Sequence, residues 1–309
     1  MPKFKSGLSR RHLLASAVAV GAAGLVPGSP AAAPAMMTRP IPSSGERLPV
    51  IGMGTWVTFN VGDDMQLRAR CVDVFRAFFQ AGGGMIDSSP MYGSAEEVIG
   101  YCLKQLGANS PMFSATKVWT PLKWHGAKQI KASQELRGED KFDLFQVHNL
   151  VNWEGHLDTL QAMKSEGRLR YVGITTSHGS RHEEMAKIMA TQAIDFVQFT
   201  YNVEDRDPEA RLLGLAADKG IAVIINRPFQ RGSLLDRFQG KPLPPWAADI
   251  ACTSWAQFSL KFIVSHPAVT CAIPATSRVD HMHENMNVGR GPLPDMKTRA
   301  RMAAYVKDL

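Results

Sequence analysis

The chain has 309 residues, with 35 Lys and Arg against 28 Asp and Glu, and 45% of it is hydrophobic. That much apolar material builds a large core, which excludes a disordered chain and a small stapled scaffold. A formal charge of +7 keeps nucleic acid or a membrane surface open as partners until the basic residues are located.

Residues 1–35 hold Lys3, Lys5, Arg10 and Arg11, no acid, and a weakly apolar run from Leu13 to Val26. The run is too short to span a bilayer as a stable helix. Its order fits a cleavable signal segment, with Ala33-Pro34-Ala35 as cleavage site and Met36 as mature start. Ser9-Arg10-Arg11-His12-Leu13-Leu14 resembles a twin-arginine signal, which implies bacterial export of an already folded protein, the twin-arginine machinery as a partner and a periplasmic location. An ordinary secretory signal or an uncleaved anchor are the alternatives. With those four charges removed, residues 36–309 carry +3. The expectation is therefore no nucleic-acid partner and no stable membrane association after cleavage. Cys71, Cys102, Cys252 and Cys271 form no metal-ligand spacing, so no metal is expected, and disulfides stay open.

Beyond the signal, Met37–Arg47, with Ser43-Ser44-Gly45 between two short extended runs, predicts an N-terminal hairpin across the bottom of a barrel. Strands are then predicted at Pro49–Met53, Met85–Asp87, Phe113–Lys117, Asp143–His148, Tyr171–Thr175, Phe196–Gln198, Ala222–Asn226 and Thr270–Ile273. Helical patterns fall between them at Leu67–Ala81, Ala95–Gln105, His125–Leu136, Leu157–Glu166, His182–Thr191, Pro208–Lys219 and Thr253–Ser265. This alternation predicts an α/β fold with parallel strands, most readily one closed (β/α)8 TIM barrel over residues 36–309. An open doubly wound sheet is the competitor. Against it, Gly52-Met53-Gly54 lacks a third glycine and runs into Thr55-Trp56-Val57, so no dinucleotide-binding G-x-G-x-x-G follows the first strand.

Barrel active sites assemble at the carboxyl ends of the strands. Asp87, Lys117 and His148 end the second, third and fourth predicted strands, 30 and 31 residues apart, so they converge on one mouth. Tyr92 follows Asp87 in a loop that Pro90 and Gly93 can fold back over that mouth. Each has a plain alternative: a helix cap, a snorkelling lysine, a core histidine, a packed ring. Four different ionisable side chains at one face form an acid–base set with no structural need.

These residues resemble the aldo-keto reductases. Asp87-Ser-Ser-Pro-Met-Tyr92-Gly93, Ser114-Ala-Thr-Lys117 and Asp143-Leu-Phe-Gln-Val-His148 match that family's segments in order and spacing, and Ile273-Pro-Ala-Thr-Ser-Arg278 resembles its C-terminal cofactor segment. Carbonyl reduction needs a hydride for carbon and a proton for oxygen. Tyr92 is the expected donor, with Lys117 lowering its pKa, Asp87 holding Lys117 charged and His148 bonding the substrate oxygen.

A hydride requires a cofactor, because no side chain donates one. The resemblance implies a nicotinamide held by Gln198, Thr175 and Thr176. At Asn226-Arg227-Pro228-Phe229 the chain departs from the family, many of whose members carry a Tyr that stacks on the nicotinamide, and Arg227 there suits the pyrophosphate. In the C-terminal segment Thr276, Ser277 and Arg278 are expected on the 2′-phosphate of NADP, with Asn285 on the adenine and His281 where an Arg often sits. A guanidinium with two hydroxyls suits a phosphate better than a ribose diol, so NADP(H) is preferred to NAD. Ser277 as a simple helix N-cap is the alternative. Trp56 and Trp119, in loops at the mouth, and Asn149, beside His148, are the expected substrate contacts. The function expected is an NADP-dependent interconversion of an aldehyde or ketone and an alcohol. A cofactor-binding regulatory subunit on the same fold is the alternative.

Overall fold

A computed structural model describes residues 35–107, 112–177 and 179–309. The signal expected in residues 1–35 lies, except for Ala35, outside these described residues.

The expected hairpin forms. Strands β1 (Thr38–Pro40) and β2 (Arg47–Pro49) pair antiparallel, with Thr38 opposite Pro49. The turn is tied by Gly45 N–H donating to the Ile41 carbonyl at 2.8 Å. Ile41 and Leu48 are buried against Phe113, Leu144, Tyr171, Phe196 and Ile224, the inward-facing layer at the lower end of the barrel. The hairpin thus closes the barrel floor, and each of the two side chains contributes about 1.5–3 kcal/mol of apolar burial.

The strand–helix units follow in chain order. They are β3 (Met53–Gly54) with α1 (Met65–Gln80), β4 (Met85–Asp87) with α2 (Ala95–Leu106), and β5 (Phe113–Val118) with α3 (Lys123–Arg137). Next come β6 (Phe142–Val147) with α4 (Trp153–Ser165), β7 (Leu169–Thr175) with α5 (His182–Thr191), and β8 (Phe196–Thr200) with α6 (Leu212–Lys219). Strand β9 (Ala222–Asn226) leads to α7 (Ser233–Phe238) and α8 (Trp255–Val264), and β10 (Cys271–Ala272) leads to α9 (Val279–Asn287) and α10 (Met296–Lys307). Strands β3 to β10 form one parallel sheet in sequence order, and the bridges Ile51–Ala272 and Gly54–Ala275 join its two ends. A Cβ on Gly54 would lie 2.8 Å from the Ile273 carbonyl oxygen, so closure at this seam needs glycine.

Helix α1 shows how sequence sets an element. Asp64 caps it by accepting from the backbone N–H of Gln66 and Leu67, at 2.9 and 3.0 Å. Cys71, Val74, Phe75 and Phe78 then recur at helical spacing and are buried in the core between sheet and helices.

Three departures from the sequence reading have local causes. The first barrel strand is only Met53–Gly54, because Pro49 is used by the hairpin and Ile51 makes only a bridge. The helix predicted over Pro208–Lys219 is a 3-10 turn at Asp207–Ala210, then a break at Arg211 (φ −150°, ψ −51°), then α6. Pro208 supplies no N–H and sits only in a first turn. Helices α7 and α10 have no counterpart in the sequence reading, and α9 only in the alternative that made Ser277 an N-cap; α10 is a polar helix anchored inward by Met302, Val306 and the buried Arg299. All four cysteines are buried and unbridged, and burial pushes the Cys71 and Cys252 thiols up to about 11.

Candidate active site

Parallel strands deliver Asp87, Lys117, Gln198 and Asn226 to one end of the barrel. The register puts Lys117 beside Gln146 and Thr200 beside Asn226. His148 follows β6 directly, at the start of a short 3-10 turn.

The centre of the site is a buried ion pair. Lys117 is 1% and Asp87 2% exposed, and the Lys117 ammonium donates to Asp87 Oδ2 and, at 2.7 Å, to the Ser88 carbonyl. Asp87 Oδ1 accepts from Gln146 Nε2 at 2.9 Å and Gln198 Nε2 at 3.0 Å. Asn226 Nδ2 donates to the Thr176 carbonyl at 2.8 Å, while its Oδ1 accepts from Thr200 Oγ1 at 2.9 Å. Every charge here is paired and bonded, the condition under which a buried ion pair is tolerated.

Tyr92 lies on this pair. Lys117 Nζ sits 5.2 Å from the Tyr92 ring centroid, and the ring meets His148 edge-on at 5.8 Å. The backbone turn that puts it there depends on Gly93 at φ +62°, where a Cβ would strike Asn60 Oδ1 at 2.2 Å. Burial raises the Tyr92 phenol above its ordinary pKa, and the nearby Lys117 charge only partly opposes this. The balance differs from the sequence expectation of a lowered phenol. Burial pulls Lys117 down, but Asp87 and Tyr92 outweigh it and leave the ammonium above its ordinary value. Burial, then the positive charges of Lys117 and Arg227, hold His148 well below the usual histidine range, so its imidazole is neutral. Ser89 Oγ lies 2.9 Å from its Nδ1.

Tyr92 and His148 open onto a cavity of about 680 Å3. Of the other predicted residues, Trp56, Asn149, Gln198, Arg227, Thr276, His281 and Asn285 line it, as does Asp87. Lys117 is sealed behind them. Thr175 and Thr176 are buried at the end of β7; Thr175 Oγ1 accepts from the Asn149 N–H at 3.2 Å, and Thr176 Oγ1 has no partner among the described residues. Ser277 and Arg278 are exposed beyond the cavity lining, and Arg278 is forked onto Asp280, with Nε at 3.0 Å from Oδ1. The N-cap of α9 is Arg278 rather than Ser277. Trp119 is 41% exposed and lies outside the cavity lining, its backbone N–H and carbonyl held by Gln129 at 2.8 and 2.9 Å.

The structure also brings in residues that sequence reasoning passed over. Gln146 interrupts an apolar strand two positions before His148, the same signal that singled out the charged residues. Met91, Phe229 and Arg231 line the cavity, and the Arg231 guanidinium lies 4.5 Å from the Trp56 ring centroid. Val57, Arg227, Gln230 and Arg231 all have positive φ, so loops after β3 and β9 hold strained backbone at the cavity.

The model of the "Aldo/keto reductase family" matches residues 50–304. The chain is 29% identical to methylglyoxal reductase YeaE of Escherichia coli over 266 residues, which is 82% of this chain and 90% of that protein. It is 27% identical to aldo-keto reductase YhdN of Bacillus subtilis, over 60% of this chain and 59% of that one. Among solved structures, an aldo-keto reductase from Klebsiella pneumoniae in complex with NADPH superposes with a TM-score of 0.73 at 22% identity, covering 88% of this chain and 95% of that one. The holo form of aldo-keto reductase AKR11C1 from Bacillus halodurans gives a TM-score of 0.72 at 20% identity, covering 88% and 96%. The barrel, the site at its mouth and the family match over nearly all of the described residues agree: the chain belongs to the aldo/keto reductase family.

Proposed function

We propose that residues 36–309 are an NADP-dependent oxidoreductase that interconverts a carbonyl and an alcohol. The observation that carries this reading is the buried Lys117–Asp87 pair set under Tyr92, with a neutral His148 beside it: Asp87, Tyr92 and His148 line one cavity and Lys117 lies behind them. That set has no structural purpose a plain apolar core would not serve better. Names among the similar proteins support it: one relative is a methylglyoxal reductase, and one structural neighbour was crystallised with NADPH.

Tyr92 keeps its proton because burial raises its pKa, so it delivers that proton to the carbonyl oxygen as negative charge develops there. Lys117 stays charged against Asp87 and offsets the phenolate left behind. His148, neutral, donates to the same oxygen and orients the carbonyl. When bound, the nicotinamide supplies the hydride.

Two features at or beside the cavity fit that group. Thr176 Oγ1, next in the chain to the lining residue Ser177, is a buried hydroxyl without a partner among the described residues, and Asn285 is a buried side chain in the cavity lining with no side-chain hydrogen bond among them. Both are positions for a polar ligand. Gln198, Thr175 and Thr176 would hold the carboxamide, Arg227 the pyrophosphate, Thr276, Ser277 and Arg278 the 2′-phosphate, and His281 and Asn285 the adenine end. Trp56, Met91 and Phe229 leave an apolar wall for an aryl or alkyl carbonyl.

Arg278 gives a direct test of cofactor choice. Loss of its charge-assisted bonds in Arg278→Ala is expected to weaken NADPH binding about tenfold and NADH binding by less than about twofold. Asp280 competes for the same guanidinium, so Asp280→Ala should tighten NADPH binding. Equal preference for the two nucleotides in all three proteins contradicts the assignment; fluorescence titration measures it.

Export of the folded chain by the twin-arginine route is part of the proposal, supported by residues 1–35. Export in the folded state allows a tightly held nucleotide to be carried out and recycled between two substrates. Mass analysis of the protein purified from the periplasm should find a processed start at Met36 and a retained nicotinamide nucleotide. Unprocessed protein in the cytoplasm would end the export reading, and a nucleotide-free periplasmic protein would end the recycling one.

A further inference from the structure

Ser89 is fully buried between Asp87 and Tyr92, and its hydroxyl has two neighbours: His148 Nδ1 at 2.9 Å and the Met91 N–H at 3.4 Å. The Met91 amide can only donate, so Ser89 Oγ accepts from it. His148 is neutral, which leaves one ring nitrogen protonated and the other bare. If Nδ1 carried the proton, it would donate to Ser89 Oγ, and the Ser89 proton would be left in a dry interior with no acceptor among the described residues. Leaving a buried donor unmade costs about 1–3 kcal/mol. If Nδ1 is bare, Ser89 donates to it and every group is satisfied. The proton then resides on Nε2, the ring nitrogen without a partner among the described residues, on a side chain that lines the cavity.

We propose that Ser89 is the positioning residue of the site: it fixes His148 in the Nε2–H tautomer, so that the imidazole presents a donor to a substrate carbonyl oxygen. In the other tautomer Nε2 would aim a lone pair at that oxygen and repel it. Lys117 and Arg227, the charged groups that act on His148, both oppose its protonation, so the tautomer and not the charge is what remains to be set. The proposal rests on the carbonyl-reduction reading for its consequence, though the tautomer itself does not depend on that reading.

The test is nitrogen-15 NMR of His148 in the folded chain with Ser89→Ala and Ser89→Cys, alongside steady-state kinetics. The wild type is expected to show a single neutral tautomer with the proton on Nε2. In Ser89→Ala a water can enter the vacated polar space and either donate to Nδ1 or accept from it, so the tautomer is no longer fixed: a mixture is expected, and kcat for reduction should fall at least tenfold, a part of the roughly 10²- to 10⁴-fold that a positioned proton donor contributes. The nucleotide dissociation constant should not change. Ser89→Cys, whose thiol is a weaker donor, should fall between the two. An Nδ1–H wild type, or an unchanged Nε2–H tautomer in Ser89→Ala, overturns the proposal. Should the wild type reduce no carbonyl at all, the functional reading fails while the NMR result still decides the role of Ser89.

Discussion

Tyr92→Phe is expected to lower kcat for carbonyl reduction by about 10²- to 10⁴-fold while the dissociation constant of NADPH stays within about twofold. The substitution removes one hydroxyl and keeps the ring, so the contacts of that ring with Lys117 and His148 survive. No other donor replaces it: Lys117 gives two of its three N–H groups to Asp87 and Ser88 and is held charged, its pKa raised, so it does not give up a proton readily, and a neutral histidine is a poor acid. Stopped-flow reduction and nucleotide titration measure the two quantities. The pH dependence follows from the raised phenol. Reduction needs the protonated form, so activity should persist from neutral pH upward and be lost only as pH rises through the Tyr92 pKa, above the ordinary value of about 10. Retained activity in Tyr92→Phe would remove Tyr92 from the mechanism.

The largest expected stability effect belongs to Asp87. Asp87→Ala leaves the Lys117 ammonium buried without its counter-charge and takes the acceptor from the Gln146 and Gln198 amides. Breaking a buried pair from one side costs about 3–5 kcal/mol. For a chain of this size that lowers Tm by roughly 5–8 °C. Removing both charges, as in Asp87→Ala with Lys117→Met, should recover much of the loss, because the penalty comes mainly from the stranded charge. Both variants should lose reduction: Asp87→Ala frees the Lys117 ammonium from the anchor that places it under Tyr92, and the double variant has no cation there at all. The pH sense is fixed by Lys117: its pKa is raised on folding, so the pair stabilises fully below the unfolded lysine value of about 10.4 and the contribution fades as pH rises through the folded value. Calorimetry of the three proteins at neutral pH decides it, and a double variant less stable than Asp87→Ala would contradict the account.

The barrel was legible because strand and helix periods repeat, and a parallel strand buried on both faces reads as an apolar run. Asp87, Lys117 and His148 stood out as polar interruptions of those runs. Gln146 interrupts β6 in the same way and was passed over only because it is neutral; its amide completes the Asp87 cage. The sign of the Tyr92 shift depends on how much water reaches the ring, a property of the assembled site that no local pattern carries. Arg231 was invisible for a different reason: positive φ at Arg227, Gln230 and Arg231 turns the β9 loop back to the cavity, and nothing in Asn226-Arg227-Pro228-Phe229 signals it. The Arg278–Asp280 fork depends on where α9 begins, which is one residue later than the Ser277 cap the sequence offered as an alternative. Trp119 belongs to a loop whose path is set by Gln129, ten residues on.

The central claim is carbonyl reduction with NADPH at the Tyr92 site. Its most direct test is the loss of absorbance at the nicotinamide band when residues 36–309 are mixed with NADPH and a panel of aryl, alkyl and dicarbonyl compounds. The account predicts oxidation of NADPH matched one to one by alcohol formed, absent in Tyr92→Phe. NADPH that binds but is oxidised by no carbonyl, or is oxidised equally by the Tyr92→Phe protein, would contradict it.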